Sequence, residues 1–308
     1  MTTMKHFIDL ADIQADEILD LLDLAASLKQ NPKAADSQRL AGKTLGMIFA
    51  KSSTRTRVSF EVGMYQLGGQ ALFLSTQDIQ LGRGETIADT AKVMSRFLDG
   101  IMIRTFSHQD VLDLARYGSV PVINGLTDLM HPCQALADLL TIKEYFARLA
   151  GLKLAYLGDG NNVAHSLLQA GAKTGMHVAV ATPHDYACDE KIVEAACEAA
   201  NKTGGKITVT ADALEAAKDA DVIYTDTWIS MGQENEKAER ISIFGEYQVN
   251  EHLMSLAKNH ALFLHCLPAY RGLEVSEAVI DGPASKIFDQ AENRLHAQKA
   301  VLVRLMES

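Results

Sequence analysis

Short apolar runs alternate with longer stretches of helically spaced apolar residues along most of this 308-residue sequence, and that alternation leaves few folds open. Strands are expected over residues 44–49, 70–74, 100–104 and 121–124, with helices after Ser53 and over 87–98 and 111–117 between them. The pattern then recurs, with strands expected over 153–157, 178–181, 207–210, 222–226 and 261–266. Such alternation implies parallel strands joined by crossover helices packed on both faces. The expected fold class is α/β: two doubly wound domains, each with a mainly parallel sheet, linked by interdomain helices. The first domain spans 1–147 and takes back 289–308, and the second spans 148–288. A helix from Pro132 to about residue 148 bridges them, and an amphipathic helix over 15–30 opens the chain. A helix over 291–306 closes it, with Arg294 on its first turn.

In sheets of this kind ligands gather at the carboxyl ends of the strands, and composition narrows which ligands those are. A formal charge of -10 argues against broad affinity for nucleic acid or anionic membrane, both of which attract basic surface. No apolar run approaches membrane-spanning length, and residues 1–10 lack the basic and apolar regions of a secretory leader, so a cytoplasmic location is expected. Cys133, Cys188, Cys197 and Cys266 show neither paired metal-ligand spacing nor a disulfide framework.

Polar residues cluster where the expected strands end. Ser52 to Arg57 follow the first strand, where a hydroxyl at a helix start leaves first-turn N–H groups facing a ligand and the helix dipole adds partial positive charge. The glycines of a nucleotide P-loop are missing, so hydroxyls and guanidiniums there suit a small phosphate-bearing molecule. Arg55 and Arg57 leave a helix in roughly opposite directions, which assigns Arg55 to the ligand and Arg57 to a supporting ion pair. The same residues also suit a capped helix with solvated arginines. Arg104 ends the third strand, and His131 with Gln134 opens the bridging helix, where His131 suits a structural cap as well as a ligand contact.

In the second half, Gly158-Asp159-Gly160-Asn161-Asn162 is half of a dinucleotide fingerprint. It lacks the third glycine, and Thr182 and Pro183 stand where an acidic ribose ligand is expected, which argues against a nicotinamide oxidoreductase and leaves the asparagines for a zwitterionic substrate. Asp226 ends a later strand, the charged stretch 233–240 reads as a mobile loop, and His265-Cys266-Leu267-Pro268 ends the last strand. Taken singly, Asp226 suits a helix cap and Cys266 a core position.

Four motifs stand in one order: Ser53-Thr54-Arg55-Thr56-Arg57, His131-Pro132-Cys133-Gln134, Asp226 with Ser230-Met231-Gly232, and His265-Cys266-Leu267-Pro268. Together they resemble the aspartate and ornithine carbamoyltransferases, and the last two resemble the ornithine-using branch. Residues 77–85 contain no lysine, and in this they depart from the aspartate-using members. The resemblance implies transfer of the carbamoyl group of carbamoyl phosphate to the side-chain amine of L-ornithine, within arginine metabolism, with no metal and no organic cofactor. It also implies a homotrimer in which Gln80 reaches a neighbouring subunit's site. Carried over by position, Ser53, Thr54, Arg55 and Thr56 would hold the phosphate, and Arg104, His131 and Gln134 the carbamoyl group. Cys266, Leu267 and Arg294 complete the carbamoyl-phosphate set, while Asn162, Asp226, Ser230 and Met231 would bind ornithine. Thr56, Arg104, His131, Asp226 and Cys266 are the expected catalytic groups. A non-catalytic relative would lack some of these, and all are present.

Overall fold

Thr44 to Phe49 bury every side chain after the first, and so continuous an apolar run needs cover on both faces of a sheet. A computed structural model, describing residues 4–30, 38–229 and 234–307, makes this run the interior strand β1 (Thr44–Phe49). The chain separates into two compact units, Met1–Leu140 with Glu292–Ser308, and Thr141–Ala291.

In the first unit β1 pairs in parallel with β2 (Gln70–Ser75) and β3 (Gly100–Arg104), and β3 pairs in parallel with β4 (Val122–Leu126). The helices are α1 (Ala15–Gln30), α2 (Thr54–Gln66), α3 (Ile87–Met94), α4 (His108–Tyr117) and α5 (Pro132–Phe146), the last of which runs on into the second unit. As expected, Ile18, Leu21, Leu22, Ala25 and Leu28 form the buried face of α1. One core cluster gathers Ile48, Ile101, Ile103, Val111, Leu114 and Val122. The sheet order β2-β1-β3-β4 sends the chain one way from β1 and then back to its other side. That reversal makes the carboxyl ends of β1 and β3 the switch point where a crevice opens.

The second unit repeats the device with five parallel strands, β5 (Lys153–Leu157), β6 (His177–Ala181), β7 (Lys206–Thr210), β8 (Val222–Thr225) and β9 (Leu262–His265), in the order β7-β6-β5-β8-β9. Its helices are α6 (Asn162–Lys173), α7 (Glu190–Thr203), α8 (Ala213–Ala217), α9 (Lys237–Phe244), α10 (Glu251–Leu256), α11 (Glu277–Ile280) and α12 (Ile287–Met306), which ends in the first unit. Here the switch point lies at the carboxyl ends of β5 and β8. No helix among the described residues is long and apolar enough to cross a membrane.

The structure corrects three expectations about the helices. The helix expected over 87–98 stops at Met94, because the Ser95 hydroxyl donates to the Ala91 carbonyl at 2.7 Å and accepts the Ser119 N–H at 3.0 Å. The closing helix begins at Ile287, not Ala291: the Lys286 N–H is held by the Phe263 carbonyl, and the Lys286 carbonyl already accepts the Gln290 N–H. Arg294 is therefore well inside α12 and not on its first turn. Residues 237–240 are not a loop but the start of α9, in which Arg240 is buried.

Ile48 is fully buried on β1, with pairing partners on both sides. Ile48→Ala should therefore cost about 2–5 kcal/mol. Calorimetric melting of the variant should show a lowered transition, and an unchanged one would mean that β1 is not the interior strand.

Candidate active site

The turn from β1 into α2 is built by Ser53. It is extended (φ -163°, ψ 114°), and its Oγ accepts the Thr56 N–H at 3.2 Å and donates to Thr56 Oγ1 at 3.1 Å. Thr56 itself is 1% exposed. The Arg104 carbonyl, at the end of β3, accepts the Ala50 N–H at 2.8 Å, so this turn and Arg104 are fixed to each other. The buried Lys51 ammonium pairs with Asp128 and lies 4.2 Å from the Phe106 ring centroid, tying the turn to the segment that leads into α5. Nothing in the spacing of the sequence marks that tie.

Within this unit Arg294 joins the motifs. Its Nη1 donates to Gln134 Oε1 at 2.8 Å and its Nη2 to Thr56 Oγ1 at 3.2 Å, while Gln134 Nε2 donates to Asp138 Oδ1 at 2.8 Å. His131 precedes α5 and accepts the Ala135 N–H on its carbonyl at 3.2 Å, so it holds the cap position expected of it. Its ring is buried, and burial together with the positive charges of Arg294, Arg104 and Arg55 holds it well below the ordinary imidazole value. His131 is accordingly neutral near pH 7. Three guanidiniums acting on one neutral imidazole make a receptor for an anion, with an N–H donor that brings no charge of its own. The neighbouring Cys133 is not reactive: burial, opposed by Arg294, pushes its thiol up to about 12.

Arg57 takes the supporting role expected of it. Its Nε donates to Glu61 Oε1 at 2.9 Å, and its guanidinium lies 3.8 Å from the Phe73 ring centroid. Ser53 is half-buried, and Thr54 and Arg55 are exposed on the first turn. Gln80 is exposed on a 3₁₀ turn, Gln80–Arg83, and its side chain makes no hydrogen bond to the Arg294 cluster among the described residues.

In the second unit Asp226 follows β8 and is 7% exposed. Its Oδ1 accepts from Cys266 Sγ at 3.0 Å and from the Thr227 N–H at 2.8 Å, and its Oδ2 accepts from Asn161 Nδ2 at 3.0 Å. Asn162, the residue expected to bind substrate, opens α6 one position later. Beneath Cys266 the Leu267 N–H donates to His265 Nδ1 at 2.9 Å, which leaves Nε2 to carry the proton and donate to Glu274 Oε1 at 3.2 Å. Leu267 itself has φ +59°. Potential ligand atoms of Asp226, His265 and Cys266 lie within 4.8 Å of one another. Both ring nitrogens of His265 are committed to those bonds, so its chemistry is that of a hydrogen-bonded support and not a metal ligand. Ser230 and Met231 lie outside the described residues.

Residues 5–144 match the model of the carbamoyl-phosphate-binding domain of aspartate/ornithine carbamoyltransferases, and residues 150–305 match that of the aspartate/ornithine-binding domain. This chain belongs to that family. It is 60% identical over 303 residues to the ornithine carbamoyltransferase of Anoxybacillus flavithermus, covering 98% of this chain and 96% of the relative. It is 56% identical to that of Methanobrevibacter smithii, covering 99% and 100%. Among solved structures, the ornithine carbamoyltransferase of Pyrococcus furiosus superposes with a TM-score of 0.95 at 55% identity, covering 99% of each chain.

The neutral His131 has a consequence for stability. Because its folded value is depressed, its contribution is complete above the unfolded value of about 6.5 and is lost as pH falls through the folded value. His131→Asn should flatten the fall in melting temperature below about pH 6.5 relative to the parent protein. An equally steep fall in the variant would show that His131 is not held neutral.

Proposed function

We propose that the protein transfers the carbamoyl group of carbamoyl phosphate to the side-chain amine of L-ornithine, giving L-citrulline and phosphate. The bonds from Arg294 to Thr56 and Gln134, beside a buried His131 that the charges of Arg294, Arg104 and Arg55 keep neutral, carry this reading, because they suit a small dianion bearing a carbonyl. The first unit would hold the phosphate with Ser53, Thr54, Arg55 and Thr56, and the carbamoyl group with Arg104, His131 and Gln134. The second would hold ornithine with Asn162, Asp226, Ser230 and Met231. The names of the relatives and of the two matched domains support this division.

The chemistry asks for these groups. Only the neutral amine attacks, and the Asp226 carboxylate with the Cys266 thiol orients the deprotonated form. The amine nitrogen bonds to the carbamoyl carbon, and the carbonyl electron pair moves onto oxygen, where donors from Thr56, Arg104 and His131 meet the developing charge. Collapse of that intermediate breaks the bond to the phosphate oxygen, and phosphate leaves with the amine proton.

A citrulline assay with carbamoyl phosphate and a panel of ornithine, putrescine and aspartate should give product with ornithine. Preference for another amine, or no product, overturns the reading. In calorimetry with an unreactive phosphonate analogue, Arg55→Ala should weaken binding at least about tenfold, the loss of one hydrogen bond to a charged group. Arg57→Ala should instead lower the melting temperature more than the affinity, and the reverse order would exchange the two roles.

The working form would be a homotrimer in the cytoplasm, serving arginine biosynthesis, with Gln80 acting in a neighbouring subunit's site. Val58, Val62 and Tyr65 leave an apolar stripe exposed on α2, Tyr65 at 82%, and the edge strand β2 exposes Leu72 and Phe73 as well, which suits contact with a second copy. A protein of solved structure that is 46% identical to this chain is the anabolic ornithine carbamoyltransferase of Campylobacter jejuni. Mixing inactive Gln80→Ala and Arg55→Ala subunits should restore activity in mass-verified hybrids, and dead hybrids would rule out the shared site.

A further inference from the structure

Among the described residues, Asp226 spends three of its four acceptor directions inside the protein. Cys266 Sγ and the Thr227 N–H take both directions on Oδ1, and Asn161 Nδ2 takes one on Oδ2. The direction left on Oδ2 is the one that remains for a substrate nitrogen, and Asn161 fixes where it points.

The amide of Asn161 has only one workable orientation. Its Oδ1 accepts the N–H groups of Val163 at 2.9 Å and Ala164 at 3.3 Å, capping α6, and also faces the Tyr156 hydroxyl at 3.3 Å. Turning the amide over would set N–H against N–H on one side and carbonyl against carboxylate on the other. Burial first, and then the negative charges of Asp226 and Asp159, hold the Tyr156 phenol well above its ordinary value, so it stays protonated and donates.

The loop that carries Asn161 has no slack. The Gly160 N–H donates to the Tyr186 carbonyl at 2.8 Å, and a Cβ on Gly160 would stand 2.4 Å from the Cys188 nitrogen and 2.5 Å from the Ala187 carbonyl carbon. Asp159 in the same loop pairs with the buried Arg240, which also donates to the Trp228 carbonyl and lies 4.7 Å from the Tyr186 ring centroid. The 158–162 loop therefore grips both ends of Asp226-Thr227-Trp228.

We propose that Asn161 is a positioning residue for carbamoyl transfer, in which one amide caps α6 and sets the direction of the Asp226 oxygen that meets the ornithine nitrogen. The proposal rests on the ornithine reading above.

Asn161→Ser tests it, since serine keeps a capping oxygen but cannot supply the amide N–H to Asp226. The expected result is a melting temperature close to the parent's, an unchanged KM for carbamoyl phosphate, and kcat/KM for ornithine reduced about 10–100-fold, as for one lost hydrogen bond to a charged acceptor. Asn161→Thr, with the same capping chemistry, replaces it if the serine variant does not fold. Asn161→Ala should lose melting temperature as well as ornithine kcat/KM. If a folded capping variant keeps ornithine kcat/KM within about twofold, or loses affinity for both substrates together, Asn161 is only a helix cap and the proposal falls. If the parent protein forms no citrulline, the ornithine reading fails first, and the two failures are distinct.

Discussion

Burying the guanidinium of Arg294, 4% exposed, commits three elements at once. A cation removed from water needs hydrogen-bonded partners in fixed places, and Arg294 finds them on Thr56 of α2 and Gln134 of α5. Gln134 can offer its carbonyl only because Asp138 takes its amide. The Ser53 cap, the Thr56 hydroxyl, the guanidinium and the Gln134 amide thus form one chain of bonds, and the charges around it decide the state of His131. The first unit is organised around a buried positive field.

The second unit solves the opposite problem. Asp226 is a buried carboxylate, and its donors are neutral: a thiol, a backbone N–H and an amide. Neutral donors hold the carboxylate in place without cancelling its charge, which leaves it able to attract an amine. The His265–Glu274 pair supports the same corner by holding the Leu267 backbone, and the Gln290 side chain accepts the His265 N–H at 2.9 Å. Each unit places its charges at the switch point of its own sheet.

The sheets were legible because buried parallel strands are written as local apolar runs, and most were placed within a residue or two. β4 begins after Pro121, not at it, since proline has no N–H for the ladder. The roles of Arg55 and Arg57 were separable because helix geometry sends neighbours two apart in different directions. Arg240 was misread for the converse reason: its local sequence is charged, and its burial depends on Asp159, 81 residues away, and on the rings of Tyr186 and Phe244. Asn162 is assigned by its position in the resemblance, while the capping role of Asn161 beside it becomes visible only once the helix start is known. The start of α12 was misplaced because it depends on the Phe263 carbonyl, which no local pattern near Ile287 announces.

The bond from Arg294 to Thr56 closes a separation of 238 residues. Everything in Thr141–Ala291 lies inside that closure, so the second unit is continuous in sequence while the first is interrupted by it. Ordering so long a loop before its contacts form is entropically unfavourable, and the unfavourable part shrinks once the intervening chain has become compact. The second unit is built from contiguous sequence, whereas the anion receptor of the first is complete only when α12, returning from the far end of the chain, meets α2 and α5.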